Sequence, residues 1–254
     1  MRSTSHQWSE GAVWRALASR VRASDGAPEA SIAPIDRFNP VFAVGGGIVA
    51  VTFDLFGTLV DVEYPSDPAE IVARELESRG VEVPDDWHVA YGERHVDAPS
   101  GAEVPLPAHV AHALDSRGVE AADNVVRHAV VAAFDPDVSR RDGVLEAVSD
   151  VSDRGPVGLL SNCAVPELVP KTLIRAGLRG EFDAVTTSIG CGWRKPHPKA
   201  FEAASEALDI APGSLVHVGD DPAADSGVED VGGRFVDVTE TPLDELAAHL
   251  EAEP

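Results

Sequence analysis

Residues 49–60 read VAVTFDLFGTLV, an apolar stretch with a single acid, Asp54, at its centre. The residues before the acid are mostly β-branched or aromatic, which favours a strand. They do not alternate with charged residues, which indicates a strand that is buried on both faces of a sheet. A carboxylate at the end of such a strand lies at the edge of a parallel sheet, where ligands bind. We therefore predict the first core strand here, with a functional carboxylate after it.

The same pattern of an apolar strand followed by a helix recurs along the rest of the chain. We predict strands over 48–53, 156–160, 183–187, 214–218 and 233–237. We predict core helices near 141–153, 165–176, 198–209, 222–231 and 241–251. Apolar strands joined by helices are typical of an α/β fold, a doubly wound parallel sheet covered by helices on both faces.

One interval is too long to be a single connection between neighbouring strands. Ser161, after the second predicted strand, follows Asp54 by 107 positions. This interval carries helical patterns near 66–80, 84–96, 105–117 and 121–134. We predict a helical cap over 62–138, inserted between the two parts of the core, residues 48–61 and 139–254.

The first 47 residues differ from the rest of the chain. A short amphipathic pattern around Trp14 and Val21 is followed by a segment rich in Pro and Ala. We expect residues 1–47 to be an N-terminal extension, either flexible or a short helix.

The composition is strongly acidic, with 43 acids against 20 bases and a net charge of −23. This charge repels nucleic acids and anionic membranes, so we expect neither as a partner. The only lysines are Lys171, Lys195 and Lys199, and the acids are spread along the chain. An acidic, lysine-poor surface is typical of a halophilic protein, because concentrated salt screens the repulsion between its charges.

Two cysteines, Cys163 and Cys191, are too few for a disulfide framework. Charged residues interrupt the N-terminus, which shows no pattern of a signal peptide. Both observations fit a cytoplasmic protein.

Four polar clusters follow the predicted core strands and would meet at one edge of the sheet. They are Asp54 with Thr58, Ser161 with Asn162, Arg194-Lys195-Pro196, and Asp220-Asp221 with Asp225. This combination suits phosphoryl transfer, in which a carboxylate attacks phosphorus and nearby donors stabilise the equatorial oxygens. Asp54 is the candidate nucleophile, and Thr58, Ser161 and Lys195 are the candidate donors. Carboxylates of Asp54, Asp220 and Asp221 are ligands that suit Mg²⁺.

These clusters, in this order, resemble the motifs of the haloacid dehalogenase-like hydrolases over residues 48–237. FDLFGTLVD is similar to their nucleophile motif, GLLSN to the hydroxyl motif, GWRKPHPKAFEAA to the lysine motif and VHVGDDPAADSGVEDVGGRF to the acidic motif. The resemblance implies a Rossmann-like core with a helical cap and a small-molecule substrate. It implies that the backbone carbonyl of Phe56 binds the metal and that Asp221 or Asp225 supports it. We expect substrate contacts from Phe56, Gly57 and Asn162.

Phe56 departs from the family's phosphatases, which usually carry a second Asp there as general acid and base. One interpretation is a Mg²⁺-dependent phosphatase of reduced acid–base function that prefers good leaving groups. A second is a metal-free 2-haloacid dehalogenase, since those enzymes often have an aromatic residue at this position, although they lack the acidic pair of GDDPAAD. A third is a catalytically reduced binding protein. We favour the phosphatase because of the acidic pair of GDDPAAD and Lys195, and the presence of Asp54, Ser161, Lys195 and Asp220 argues against a complete loss of catalysis.

Overall fold

The structure is a computed structural model that describes residues 49–252. The expected extension over residues 1–47 lies outside the described residues. Seven strands are present in the described part of the chain: β1 Ala50–Phe53, β2 Val60–Val62, β3 Val138–Arg140, β4 Val157–Ser161, β5 Ala184–Thr187, β6 Leu215–Gly219 and β7 Arg234–Asp237. No helix within residues 49–252 is long and apolar enough to cross a membrane.

Five of these strands form a parallel sheet in the order β5-β4-β1-β6-β7. The first strand is central, with Phe53 opposite Leu159 on one side and Val218 on the other. The chain first extends the sheet on the β4 side of β1 and then returns to add β6 on the other side. The predicted doubly wound α/β fold is confirmed, and its switch in strand order lies at β1, next to Asp54.

The strands are apolar because both faces of the sheet are buried. Val51 and Phe53 pack in a cluster that includes Val148 of the helix before β4. Ala50, on the opposite face, packs with Leu160 and Phe201. Alternate side chains of β1 therefore enter two different hydrophobic clusters.

Ten α-helices lie in the described residues. They are α1 Pro68–Glu77, α2 Trp87–Gly92, α3 Leu106–Asp115, α4 Asp123–Ala133, α5 Val144–Ser152, α6 Leu168–Arg175, α7 Ser188–Cys191, α8 Pro198–Ala207, α9 Pro222–Asp225 and α10 Leu246–Ala252. The helix expected over 84–96 is shorter than predicted, because the chain becomes extended at Glu93, directly after Gly92. The helix expected over 222–231 continues from α9 as a 3₁₀ segment, Ser226–Val231. Gly227 lies so close to Pro196 in this segment that a Cβ there would be 2.3 Å from the Pro196 carbonyl oxygen.

Helices α1 to α4 pack against one another between β2 and β3, which pair as a two-stranded antiparallel ribbon. Asp67 caps α1 by accepting a hydrogen bond from the Glu70 amide at 2.9 Å. Buried Trp87 joins α2 to α1 by donating from Nε1 to the Ala69 carbonyl at 2.8 Å. The four predicted helices of this segment are therefore present, and their assignment to a separate cap domain stays a prediction.

Candidate active site

The ends of β1 and β6 and the loop before α8 bring three charged side chains together. Lys195 Nζ donates to Asp54 Oδ1 at 2.7 Å and lies 2.7 Å from Asp225 Oδ1. The side chains of Lys195 and Asp225 are almost completely buried, and that of Asp54 is 12% exposed. One ammonium thus joins the residue after the central strand to the acidic segment after β6.

Burial and mutual charge perturb the pKa of each group in this cluster. Burial raises the pKa of Asp54 from 3.8 to about 7; the Lys195 charge opposes this rise, and the charges of Asp225 and Asp220 add to it. Burial opposes the charged form of Lys195, but Asp54 and Asp225 outweigh it and raise the Lys195 pKa. Burial also acts against ionised Asp225, yet Lys195 and His217 hold the Asp225 pKa below its ordinary value. The cluster therefore keeps Lys195 and Asp225 charged and makes ionised Asp54 costly.

Asp220 belongs to the same edge and contacts the loop that follows Asp54. Thr58 Oγ1 donates to Asp220 Oδ1 at 2.9 Å, so this hydroxyl is already engaged with a carboxylate. Gly57 has φ +91°, and a Cβ there would lie 2.4 Å from Asp220 Oδ2. Burial raises the Asp220 pKa, the Thr58 hydrogen bond opposes that rise, and the Asp225 charge adds to it. The glycine lets the loop after Asp54 approach Asp220 directly.

Ser161 and Asn162, at the end of β4, have different surroundings. Ser161 Oγ is completely buried and has no hydrogen-bond partner among residues 49–252. An unpaired buried hydroxyl costs about 1–3 kcal/mol, a cost that an acceptor bound at the site would remove. Asn162 forms two hydrogen bonds with the backbone of Lys195. Asn162 Nδ2 donates to the Lys195 carbonyl at 3.0 Å, and the Lys195 amide donates to Asn162 Oδ1 at 2.8 Å. The Asn162 side chain thus fixes the loop that carries Lys195. The expected contact between Asn162 and the substrate stays a prediction.

Asp221 and Asp225 both serve the local backbone after β6. Asp221 caps α9 through a 3.1 Å bond from the Ala223 amide. Asp225 Oδ2 accepts from the Asp221 amide at 3.0 Å, while its Oδ1 faces Lys195. Asp54 and Asp220 have fewer such partners and are the better-placed carboxylates for a metal ion. The assignment of any of the four as a ligand stays a prediction.

Phe56 is half-buried on the loop after Asp54 and packs against the hydrophobic core. Its ring meets that of Tyr64 edge to face, with 6.2 Å between the centroids. Desolvation by the surrounding protein, with the negative charges of Asp54 and Asp220, raises the pKa of Tyr64, although the residue is 39% exposed. The phenol therefore stays neutral near the two carboxylates.

A buried histidine beside Lys195 was missed by the sequence analysis. His217, on β6, lies 3.1 Å from Asp225 Oδ1 and 3.2 Å from Lys195 Nζ through Nε2. Its Nδ1 lies 2.9 Å from the Thr52 hydroxyl on β1. Burial lowers the His217 pKa to about 4, so the ring is neutral at pH 7. The available signal was a single imidazole within the otherwise apolar run LVHV.

Known proteins resemble this chain over most of its length. A family model described as haloacid dehalogenase-like hydrolase matches residues 48–227. An (S)-2-haloacid dehalogenase from Xanthobacter autotrophicus is 25% identical over 214 residues, which cover 80% of this chain and 79% of that protein.

Solved structures share the fold at low sequence identity. A predicted phosphoglycolate phosphatase from Haemophilus somnus is 16% identical and has a TM-score of 0.51, over 82% of this chain and 98% of that one. A phosphatase of the same superfamily from Thermococcus onnurineus is 19% identical and has a TM-score of 0.50, over 80% of this chain and 97% of that one. The family match includes Asp54, Ser161, Lys195 and the acidic segment after β6, so the chain is a member of the haloacid dehalogenase-like hydrolases.

Proposed function

We propose that this hydrolase is a Mg²⁺-dependent phosphatase that acts on a small phosphorylated metabolite through an aspartyl-phosphate on Asp54. The observation that carries the proposal is an excess of negative charge. Asp54 and Asp225 share one buried ammonium, Lys195, and burial, with the charges of Asp225 and Asp220, raises the pKa of Asp54 against the opposing charge of Lys195. A bound divalent cation offsets such an excess of negative charge. A displacement without a metal ion gains nothing from the extra carboxylates.

The residues present fit Mg²⁺ in donor chemistry. Asp54 and Asp220 offer hard carboxylate oxygens, and Mg²⁺ is usually held by one or two carboxylates, with waters and substrate phosphate completing its shell. Within residues 49–252, no group of three or more His, Cys, Asp or Glu side chains could by itself hold a metal ion. Asp54, Asp220 and the Phe56 carbonyl would hold the ion, which would neutralise charge on the phosphoryl oxygens.

Each protein group has one task in the proposed reaction. An oxygen of ionised Asp54 attacks phosphorus, and the bond from phosphorus to the leaving oxygen breaks with its electron pair on that oxygen. Lys195 and the unpaired hydroxyl of Ser161 donate to the transferred group. Water then attacks phosphorus, which releases inorganic phosphate and regenerates the carboxylate.

The nature of Phe56 sets the expected substrates. A phenyl ring cannot protonate a leaving oxygen, and general acid catalysis contributes about 10²–10⁴-fold in rate. Acyl and aryl phosphates release a carboxylate or a phenoxide, which leaves as a stable anion and does not require this proton. We therefore expect them to be turned over faster than alkyl phosphates.

A 2-haloacid dehalogenase is the second candidate, supported by the Xanthobacter relative and by the aromatic residue at position 56. In that reaction an Asp54 oxygen attacks the carbon that bears the halogen, and halide leaves with the bonding electrons. Water then cleaves the aspartyl ester to give a 2-hydroxy acid. The Asp54–Lys195 pair at 2.7 Å suits this displacement too.

A paired assay in concentrated salt separates the two candidates. It measures phosphate release from an aryl phosphate with Mg²⁺ or with EDTA, and halide release from a 2-haloacid under the same conditions. Asp54→Asn removes the nucleophile, and Asp153→Asn, at an exposed position, is the matched control. Phosphate release that EDTA and Asp54→Asn abolish, but Asp153→Asn does not, supports the phosphatase. Metal-independent halide release would overturn the phosphatase proposal in favour of the dehalogenase. The absence of both activities would favour a binding role.

A further inference from the structure

Residues 98–104, between α2 and α3, lie directly on the loop that carries Lys195, and we call them the strap. The Arg194 amide donates to the Gly101 carbonyl, and the Glu103 amide donates to the Gly192 carbonyl, both at 2.9 Å. Ala102 and Trp193 form an antiparallel bridge between these bonds. The segment of helices α1 to α4, called the helical segment below, is thus hydrogen-bonded to the core immediately before Lys195.

The strap also places a carboxylate inside the protein. The Glu103 side chain is 2% exposed, and its Oε2 accepts from Arg194 Nη1 at 2.8 Å. The same oxygen accepts from the Ser188 hydroxyl, and Oε1 accepts from the Val104 amide at 2.8 Å. Burying a carboxylate is costly unless its partners are retained, so these hydrogen bonds must form together.

The partners of Glu103 lead to both loops that carry candidate catalytic groups. Ser188 Oγ accepts from the Cys163 amide at 2.8 Å, two residues after Ser161. Arg194 directly precedes Lys195, whose backbone is in turn fixed by Asn162. The Glu103 carboxylate therefore contacts the loop that carries Lys195 directly. It contacts the loop after Ser161 through Ser188.

We propose that Glu103 is a positioning residue, which orients Lys195 and Ser161 for the transferred group only while the strap is docked on the core. This role rests on the proposed function in requiring that these two residues meet the phosphoryl group. Glu103 itself acts through Arg194 and Ser188, and no contact with substrate is needed. The role predicts that losing one buried ion pair disorders the two loops locally.

A second ion pair provides a matched control for this effect. Arg127 of α4 lies 2.5 Å from Glu167, so it also joins the helical segment to the core. Both side chains are about half exposed, and exposed pairs contribute little to stability. Arg127→Gln therefore removes a link between the same parts of the chain without touching the strap.

The test compares Glu103→Gln, Arg194→Met and Arg194→Lys with Arg127→Gln in the full chain. Amide hydrogen exchange is measured over residues 161–163 and 192–195, with α10 as an internal reference. Glu103→Gln and Arg194→Met should accelerate exchange in both loops at least tenfold and leave α10 unchanged. Because Arg194 reaches Glu103 through one nitrogen, Arg194→Lys should restore most of the protection. Arg127→Gln should match the unchanged chain.

Turnover of an aryl phosphate gives a second readout in the same variants. Misplacing catalytic groups by about 1 Å costs about 10²-fold in rate, so kcat should fall by that factor in Glu103→Gln and Arg194→Met, with KM within threefold. Unchanged loop exchange in Arg194→Met, or an Arg194→Lys variant as impaired as Arg194→Met, would overturn the proposal even if Glu103→Gln does not fold. If the unchanged chain releases no phosphate, the phosphatase proposal fails, while the exchange measurements still decide the role of Glu103.

Discussion

Replacing the candidate nucleophile should make the protein more stable while making it inactive. Asp54 is buried among Asp220 and Asp225, and its pKa is raised from 3.8 to about 7 despite its bond to Lys195. Asn has the same shape and still accepts from Lys195 Nζ, but it carries no charge. We therefore expect Asp54→Asn to increase the free energy of unfolding in the absence of a divalent cation.

The magnitude follows from the pKa of Asp54 in the folded protein. A change of one in pKa corresponds to about 1.4 kcal/mol, so ionised Asp54 destabilises the folded state by about 4 kcal/mol relative to the unfolded chain. This value already includes the attraction of Lys195. About 4 kcal/mol corresponds to a rise in Tm of about 8–16 °C for a chain of this size.

The pH dependence has a defined sign. Between pH 4 and pH 7, folded Asp54 retains a proton that the unfolded chain has released. The contribution of Asp54 to stability therefore falls as the pH rises through this window. Asp54→Asn lacks this loss, so its advantage should be small near pH 4 and complete above pH 7. Concentrated salt should change the difference little, because the group is buried.

Urea unfolding with EDTA, at a series of pH values from 5 to 8, measures this difference. Asp153→Asn tests whether removing any single negative charge from this acidic protein has the same effect. An Asp54→Asn variant no more stable than the unchanged chain at pH 8, or no more stable than Asp153→Asn, would refute the electrostatic reasoning. Adding Mg²⁺ should stabilise the unchanged chain more than Asp54→Asn, because the variant has lost a charged ligand.

Three further substitutions test separate parts of the site and the fold. Phe56→Asp should raise kcat for alkyl phosphates about 10²-fold while aryl phosphates change less than threefold, and initial rates that do not move in a folded variant would contradict the proposed role. Gly57→Ala puts a Cβ 2.4 Å from Asp220 Oδ2 at an unfavourable φ and should displace the Asp220 carboxylate. Calorimetric titration should then show Mg²⁺ affinity at least tenfold weaker, and unchanged affinity would exclude Asp220 from the metal site. Trp87→Phe removes the bond to the Ala69 carbonyl and should lower the free energy of unfolding by about 1–2 kcal/mol in urea, and an unchanged midpoint would argue against that bond.

The arrangement of the sheet could be predicted because burial on both faces leaves a local trace in each strand. Residues 50–53 are apolar or β-branched throughout, and 157–160 contain only apolar residues and one glycine, so both strands were found within two residues of their ends. Helix ends were less accessible. The predicted helix near 84–96 runs past Gly92, yet the chain is extended at Glu93, and the strap that follows pairs with residues distant in sequence.

The candidate site was predictable where a polar residue follows an apolar strand, and not elsewhere. Asp54, Ser161 and the acidic segment after β6 stand out on that criterion. Glu103 does not, because one Glu among 43 acids carries no sign that it is buried. Its burial depends on Arg194, 91 positions later, and only the folded chain brings the two together.

The structure also explains how Phe56 can replace an acid without altering the charges around Asp54. Lys195, Asp225 and His217 are held by one another and by backbone groups, and Asp220 is held by Thr58. Phe56 takes no part in these bonds, since its ring packs on the core and on Tyr64. The contacts that hold Asp54, Lys195 and Asp220 therefore do not depend on the side chain at position 56. We therefore expect a substitution at position 56 to change which leaving groups are accepted while Asp54, the candidate nucleophile, and Lys195 stay in place.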